Sequence, residues 1–138
     1  MSVSVWRGDA EGAFQPFDVK VEDNQTVLDV VAWIQQYADP TLSYRYACRV
    51  GMCGSCAMMV NGTPRWTCRT HVNNVVSDGS LTIEPLRNMS PIRDLACDMT
   101  GFFETAVETG LHILPECPAV GAHDHATAHG GVVGEFGA

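Results

Sequence analysis

Cys48, Cys53, Cys56 and Cys68 stand in the pattern C-x4-C-x2-C-x11-C, three of them inside the nine-residue stretch CRVGMCGSC. Thiolates so spaced can hold a metal cluster, form disulfides or perform redox chemistry themselves. A cluster of two irons and two sulfides needs four thiolates converging on a small volume, two on each iron. A tight loop presents three of them, and a strand alongside presents the fourth. Gly51 and Gly54 allow positive φ and close backbone approach, so that amide N–H groups face sulfur. Such donors stabilise the negative charge added on reduction and so tune the potential.

The competing chemistries fit less well. Structural zinc usually comes as two separated C-x2-C pairs, and here only Cys53 and Cys56 form one. A thioredoxin-like pair opens a helix, whereas Cys56 leads into a strand and hairpin. The start MSVSVWRGDAEG lacks the basic region and apolar stretch of a secretory signal. No apolar run approaches the roughly 20 residues of a membrane span. The cytoplasm is therefore expected, with no membrane contact, and there six cysteines read as ligands rather than staples. A formal net charge of −8, from 16 acidic and 8 basic residues, argues against nucleic-acid binding. It suits a soluble protein that meets a basic partner surface.

The chain of 138 residues, 46% of them hydrophobic, has room for one domain of roughly 100 residues and appendages. VSVWR (3–7) and FQPFDVKV (14–21) alternate partially around the turn-rich GDAEG and read as a hairpin, with Pro16 at an edge or bulge. Thr26 and Asp29 form an N-cap pair for a helix that ends near Ala38, before Pro40. Its buried stripe is Val27, Val30, Val31, Ile34 and Tyr37. AMMVNGTPRWTC (57–68) reads as strand, Asn61-Gly62 turn and strand, and SLTIEP (80–85) as a closing strand. The order is that of a small mixed sheet with one helix across it. Pro91 is a favoured first position for a second helix over 91–109. Residues 110–138 are rich in Gly, Ala and His and aperiodic, a composition expected to order only by lying on a partner.

DPTLSYRYACRVGMCGSCAMMVNGTPRWTCRTHV (39–72) closely resembles the N-terminal, ferredoxin-like domain of the iron–sulfur subunit of succinate dehydrogenases and fumarate reductases. The eleven-residue gap before Cys68 is that family's spacing, and PLRNMSPIRDLACDMTGFFE (85–104) resembles its following segment. The likeness covers about residues 3–105. It implies an α+β, β-grasp domain over 1–90, followed by the helix and the irregular tail. It implies a 2Fe–2S cluster on Cys48, Cys53, Cys56 and Cys68, with Gly51 and Gly54 shaping the loop. It also implies docking, in a hetero-oligomer, on a flavoprotein subunit whose FAD feeds the cluster.

The family continues into a helical domain with C-x-x-C-x-x-C and further Cys-Pro ligands for two more clusters. Here only Cys117-Pro118 remains, so the onward relay toward a membrane quinone is expected to be absent. No base-activated nucleophile or carboxylate pair offers bond chemistry. The reading is one-electron transfer in a soluble flavoprotein oxidoreductase, against a free ferredoxin or a redox-sensing module. Cys97 reads as a buried small hydrophobe and Cys117 as a free thiol packed on a partner. His123, Asp124, His125 and His129 make only a loose metal tract, and His71 a surface position. Met52, Met58, Met59 and Trp66 are expected around the cluster or in the hairpin core. Arg45, Arg49, Arg65 and Arg69 read equally as solvated loop residues or as a docking rim for an acidic partner.

Overall fold

The computed structural model describes residues 1–109. Met1–Phe102 form one compact unit, and the described part of a second, from Phe103, is helical to Glu108. The strands are β1 (Ser2–Arg7), β2 (Ala13–Asp18), β3 (Ala57–Val60), β4 (Thr63–Trp66) and β5 (Ser80–Glu84), in the sheet order β2-β1-β5-β3-β4. β1 and β5 run parallel at the centre, and every other pairing is antiparallel. Their register sets Val3 beside Leu81 and Val5 beside Ile83, all four buried. Met58 and Val60 of β3 complete this inner face, and helix α1 (Val27–Trp33) lays Val27, Val30 and Val31 on it. This is the expected mixed β-grasp sheet around one helix. Pro16 lies in the edge strand β2, where a missing N–H breaks no central ladder.

The Thr26–Asp29 capping box is present: the Asp29 N–H donates to Thr26 Oγ1 (3.3 Å) and the Thr26 N–H to the Asp29 carboxylate (2.9 Å). α1 does not stop at Trp33 but widens into a π-helical segment, Ile34–Ala38, closed by the Asp39 N–H donating to the Ile34 carbonyl (2.8 Å). That wider turn corrects the expected apolar stripe. Ile34 stays on it, but Tyr37 is carried off, exposed, to pack on Trp33.

The second helix also begins later than its sequence pattern suggests. Pro91–Cys97 forms a short hairpin, β6 (Pro91–Arg93) and β7 (Ala96–Cys97), and α2 (Thr100–Glu108) starts only after Asp98 caps Thr100 N–H (2.9 Å). The cause is tertiary. Asp94, buried at the hairpin turn with φ of +52°, accepts from Gly8 N–H (2.8 Å), Ser43 N–H (2.8 Å) and the Arg7 guanidinium (3.0 Å). Arg7 also reaches Asp39 (3.0 Å), whose carboxyl the Thr41 hydroxyl and N–H hold below the usual range. A helix through Asp94 would break this clamp. Cys97 is buried as expected, though on a strand.

No helix among the described residues is long and apolar enough to cross a membrane. The expectations for residues 110–138, including Cys117 and the histidine tract, lie outside the described residues.

Candidate metal centre

The loop between the π segment and β3 carries Cys48, Cys53 and Cys56, and the turn after β4 carries Cys68. Helix α1 and this turn fix each other. The first N–H groups of a helix lack partners within it, and here the Val27 N–H donates to the Thr70 carbonyl (2.9 Å) and the Leu28 N–H to the Thr67 carbonyl (3.2 Å). Thr67, fully buried, donates its hydroxyl to the Cys56 carbonyl (2.8 Å) and so ties the two inner cysteines together.

The four thiols fall into two pairs of opposite character. Cys48 and Cys53 form the outer pair. Cys48 Sγ accepts from the N–H groups of Cys53 (3.3 Å), Met52 (3.3 Å) and Val50 (3.5 Å), while the Cys48 N–H donates to Cys53 Sγ (3.5 Å). These donors lower the Cys48 pKa, the Cys53 N–H most. The Ser55 hydroxyl, then the Cys48 and Ser55 amides, lower that of Cys53 to about 6. Cys56 and Cys68 form the inner pair, buried against Leu28 with Tyr44 packed beside them. Burial pushes the Cys68 thiol up, the Cys56 thiol beside it adds to this, and the Gly51 N–H opposes it.

Gly51 and Gly54 have φ of +76° and +72°. A Cβ on Gly51 would stand 2.8 Å from Cγ of Arg69, so both the backbone sign and the space call for glycine there. Arg49 shares the left-handed conformation with φ of +58°, which no sequence signal announced.

As a donor set, four soft thiols with amide N–H groups aimed at sulfur, and a dry inner wall, fit an iron–sulfur group. Among the described residues no three His, Cys, Asp or Glu side chains gather as they would around a single ion. The spacing singled out the four cysteines and two glycines. It missed Leu28, Thr67 and Ser55, whose roles come from packing and hydrogen bonds. Met58 and Met59 are core residues as expected, but Met52 (85% exposed) and Trp66 (54%) face outward, because the loop and the edge strand β4 leave nothing above them. His71 is exposed.

Residues 2–104 match the family model described as a 2Fe-2S iron-sulfur cluster binding domain. The chain is 39% identical over 104 residues to the fumarate reductase iron-sulfur subunit of Mycobacterium tuberculosis (strain CDC 1551 / Oshkosh), covering 74% of this chain and 42% of that protein. Against the fumarate reductase iron-sulfur subunit of Haemophilus influenzae, identity is 35%, over 85% of this chain and 45% of the relative. A chain of the solved Mycobacterium smegmatis Sdh1 complex in the apo form superposes with a TM-score of 0.73 at 36% identity, over 78% of this chain and 45% of that one. The chain thus spans somewhat under half the length of these two relatives.

Proposed function

Since this chain belongs to the family of 2Fe-2S iron-sulfur cluster binding domains, we propose that it is the electron-transfer subunit of an oxidoreductase similar to succinate dehydrogenase or fumarate reductase. It passes single electrons between the FAD of a partner flavoprotein and an external donor or acceptor. Two neighbouring thiol pairs carry this reading: Cys48 with Cys53 under directed amide N–H groups, and Cys56 with Cys68 buried against Leu28, with Cys48 within electrostatic reach of Cys68. When bound, the cluster supplies reversible one-electron redox chemistry. Cys48, Cys53, Cys56 and Cys68 would hold it, as an outer and an inner pair of thiolates. The amides of Val50, Met52, Cys53 and Gly51 offset negative charge at sulfur, which favours accepting an electron. Leu28 and Tyr44 exclude water from the inner pair. Substrate chemistry belongs to the partner. The proposed compartment is the cytoplasm, in keeping with five unpaired cysteines among the described residues.

The test is purification of the tagged protein from its native cells without added salt, with solution mass and visible spectra before and after denaturation. The expected result is a complex with a larger subunit that keeps flavin attached. A brown monomer with cluster absorption alone would replace this reading with a free ferredoxin.

A further inference from the structure

Among the described residues two polar or charged residues are buried, Asp94 in the hairpin clamp and Thr67 beside the inner cysteine pair. Thr67 is 0% exposed and directly precedes Cys68, and what it binds is the backbone of the other inner cysteine. The Cys56 carbonyl accepts from it twice, from the hydroxyl at 2.8 Å and from the N–H at 3.4 Å. The second is long for an N–H donor, so the hydroxyl supplies the stronger bond. The Thr67 carbonyl in turn accepts from the Leu28 N–H (3.2 Å), and Leu28 is the residue packed on both inner thiols. One residue thus joins the start of α1, the entry to β3 and the turn that carries Cys68.

Filling space does not account for a hydroxyl here. Burying one costs free energy unless it finds a partner, and a valine would occupy the same volume without that cost. A β-branched side chain is restricted at χ1, so the hydroxyl holds the Cys56 carbonyl in one orientation. That carbonyl oxygen is partly negative and belongs to the residue that supplies an inner thiol. Bonded to a hydroxyl, its charge is fixed in direction and partly offset. Unbonded in a dry pocket, it would oppose any negative charge added nearby, and reduction of an iron–sulfur cluster adds one. The outer thiols take their donors directly at sulfur. Thr67 acts one step removed, on the backbone that carries Cys56.

We infer that Thr67 is a positioning residue for the electron transfer proposed above: its hydroxyl, bonded to the Cys56 carbonyl, fixes the inner thiol pair and raises the reduction potential of the cluster this pair helps to hold. The inference rests on the reading of the four cysteines as ligands of a 2Fe–2S cluster.

The test uses the whole protein isolated with its cluster, and compares Thr67→Val, Thr67→Ser and Thr67→Ala with the wild type. The midpoint potential is read by titrating the electron paramagnetic resonance signal of the reduced cluster. Iron loss to a chelator is followed in the visible spectrum. Thr67→Val keeps the shape and drops the hydroxyl. It is expected to disfavour reduction about threefold, a fall of about 30 mV for one electron. Its iron is expected to leave about tenfold faster, as when a partner of a metal ligand is lost. Thr67→Ser keeps the hydroxyl and is expected to retain both wild-type values, whereas Thr67→Ala follows Thr67→Val. Serine and alanine differ only in that hydroxyl, so this pair decides the matter even if Thr67→Val takes up no cluster. Wild-type potential and iron release in Thr67→Val would overturn the inference, as would equal shifts in Thr67→Ser and Thr67→Ala or loss of the cluster from Thr67→Ser. A lower melting temperature with an unmoved potential counts with these, since a merely structural bond gives that result. Each of them leaves the electron-transfer reading in place. A wild-type protein without a 2Fe–2S signal would overturn that reading itself, before any variant is compared.

Discussion

Cys48 and Cys68 show how one residue type acquires two settings from its surroundings. Cys48 sits in a curled loop where three amides converge on its sulfur, so the backbone favours the thiolate. Cys68 sits under Leu28 in a dry pocket that disfavours the free thiolate, with one amide, from Gly51, offsetting the cost. Iron bound at Cys68 would remove that penalty by taking the place of the proton. Cys68→Ser is therefore expected to lose most of the visible cluster absorption and to hold less iron per chain. Cys97→Ser, altering a buried thiol on β7 outside the four, is expected to keep both. Absorption and iron assay on the two purified variants decide this, and a full spectrum in Cys68→Ser would remove it from the ligand set. The spacing of the four cysteines was legible because the loop is local in sequence. Leu28 was not, since it lies off the helix stripe and faces the thiols through a contact forty residues distant along the chain from Cys68.

At the scale of elements, the β6–β7 hairpin holds the approach to the cysteine loop. Besides the three donors to the Asp94 carboxylate, the Leu95 N–H donates to the Ser43 carbonyl (3.1 Å). Ser43 lies five residues before Cys48, so the hairpin fixes the strand of chain that enters the site. Removing the carboxylate leaves the Arg7 charge and two amides without it. Asp94→Ala is expected to cost about 3 kcal/mol of stability, as breaking one side of a buried ion pair does. Urea unfolding of the iron-loaded protein measures it, and a loss below about 1 kcal/mol would mean that water substitutes for the clamp. The helix suggested for 91–109 fails for the same reason. Pro91 at its start is a fair local signal, but the Asp94 contacts lie more than fifty residues away in sequence and outweigh it.

For the whole molecule, the main core and the cysteine loop are separate in packing. The core joins the inner sheet face, α1 and residues such as Leu42, Val72 and Leu95, and includes none of the four cysteines. Cys56 and Cys68 belong to a small second cluster reached through Leu28 and Tyr44. Removing iron is thus expected to lower the melting temperature without dissolving the sheet. Amide exchange should stay slow in β1 and β5 and become fast across residues 44–56. Loss of protection in β1 and β5 on iron removal would show that the sheet depends on the metal for its existence.

The sequence by itself determined the alternating strands, the Asn61-Gly62 hairpin, the capped helix and the four-cysteine constellation with its glycines. Each is written in local spacing, where side-chain period, turn chemistry and ligand number act over a few residues. Only the tertiary structure decided that α1 widens at Ile34, that Pro91–Cys97 pairs as strands, that Leu28 packs on the inner thiols and that Thr67 bonds the Cys56 carbonyl. These depend on which distant backbone groups and side chains meet, and a buried carboxylate or an unpartnered helix end takes its conformation from the partner it finds, not from its neighbours in the chain.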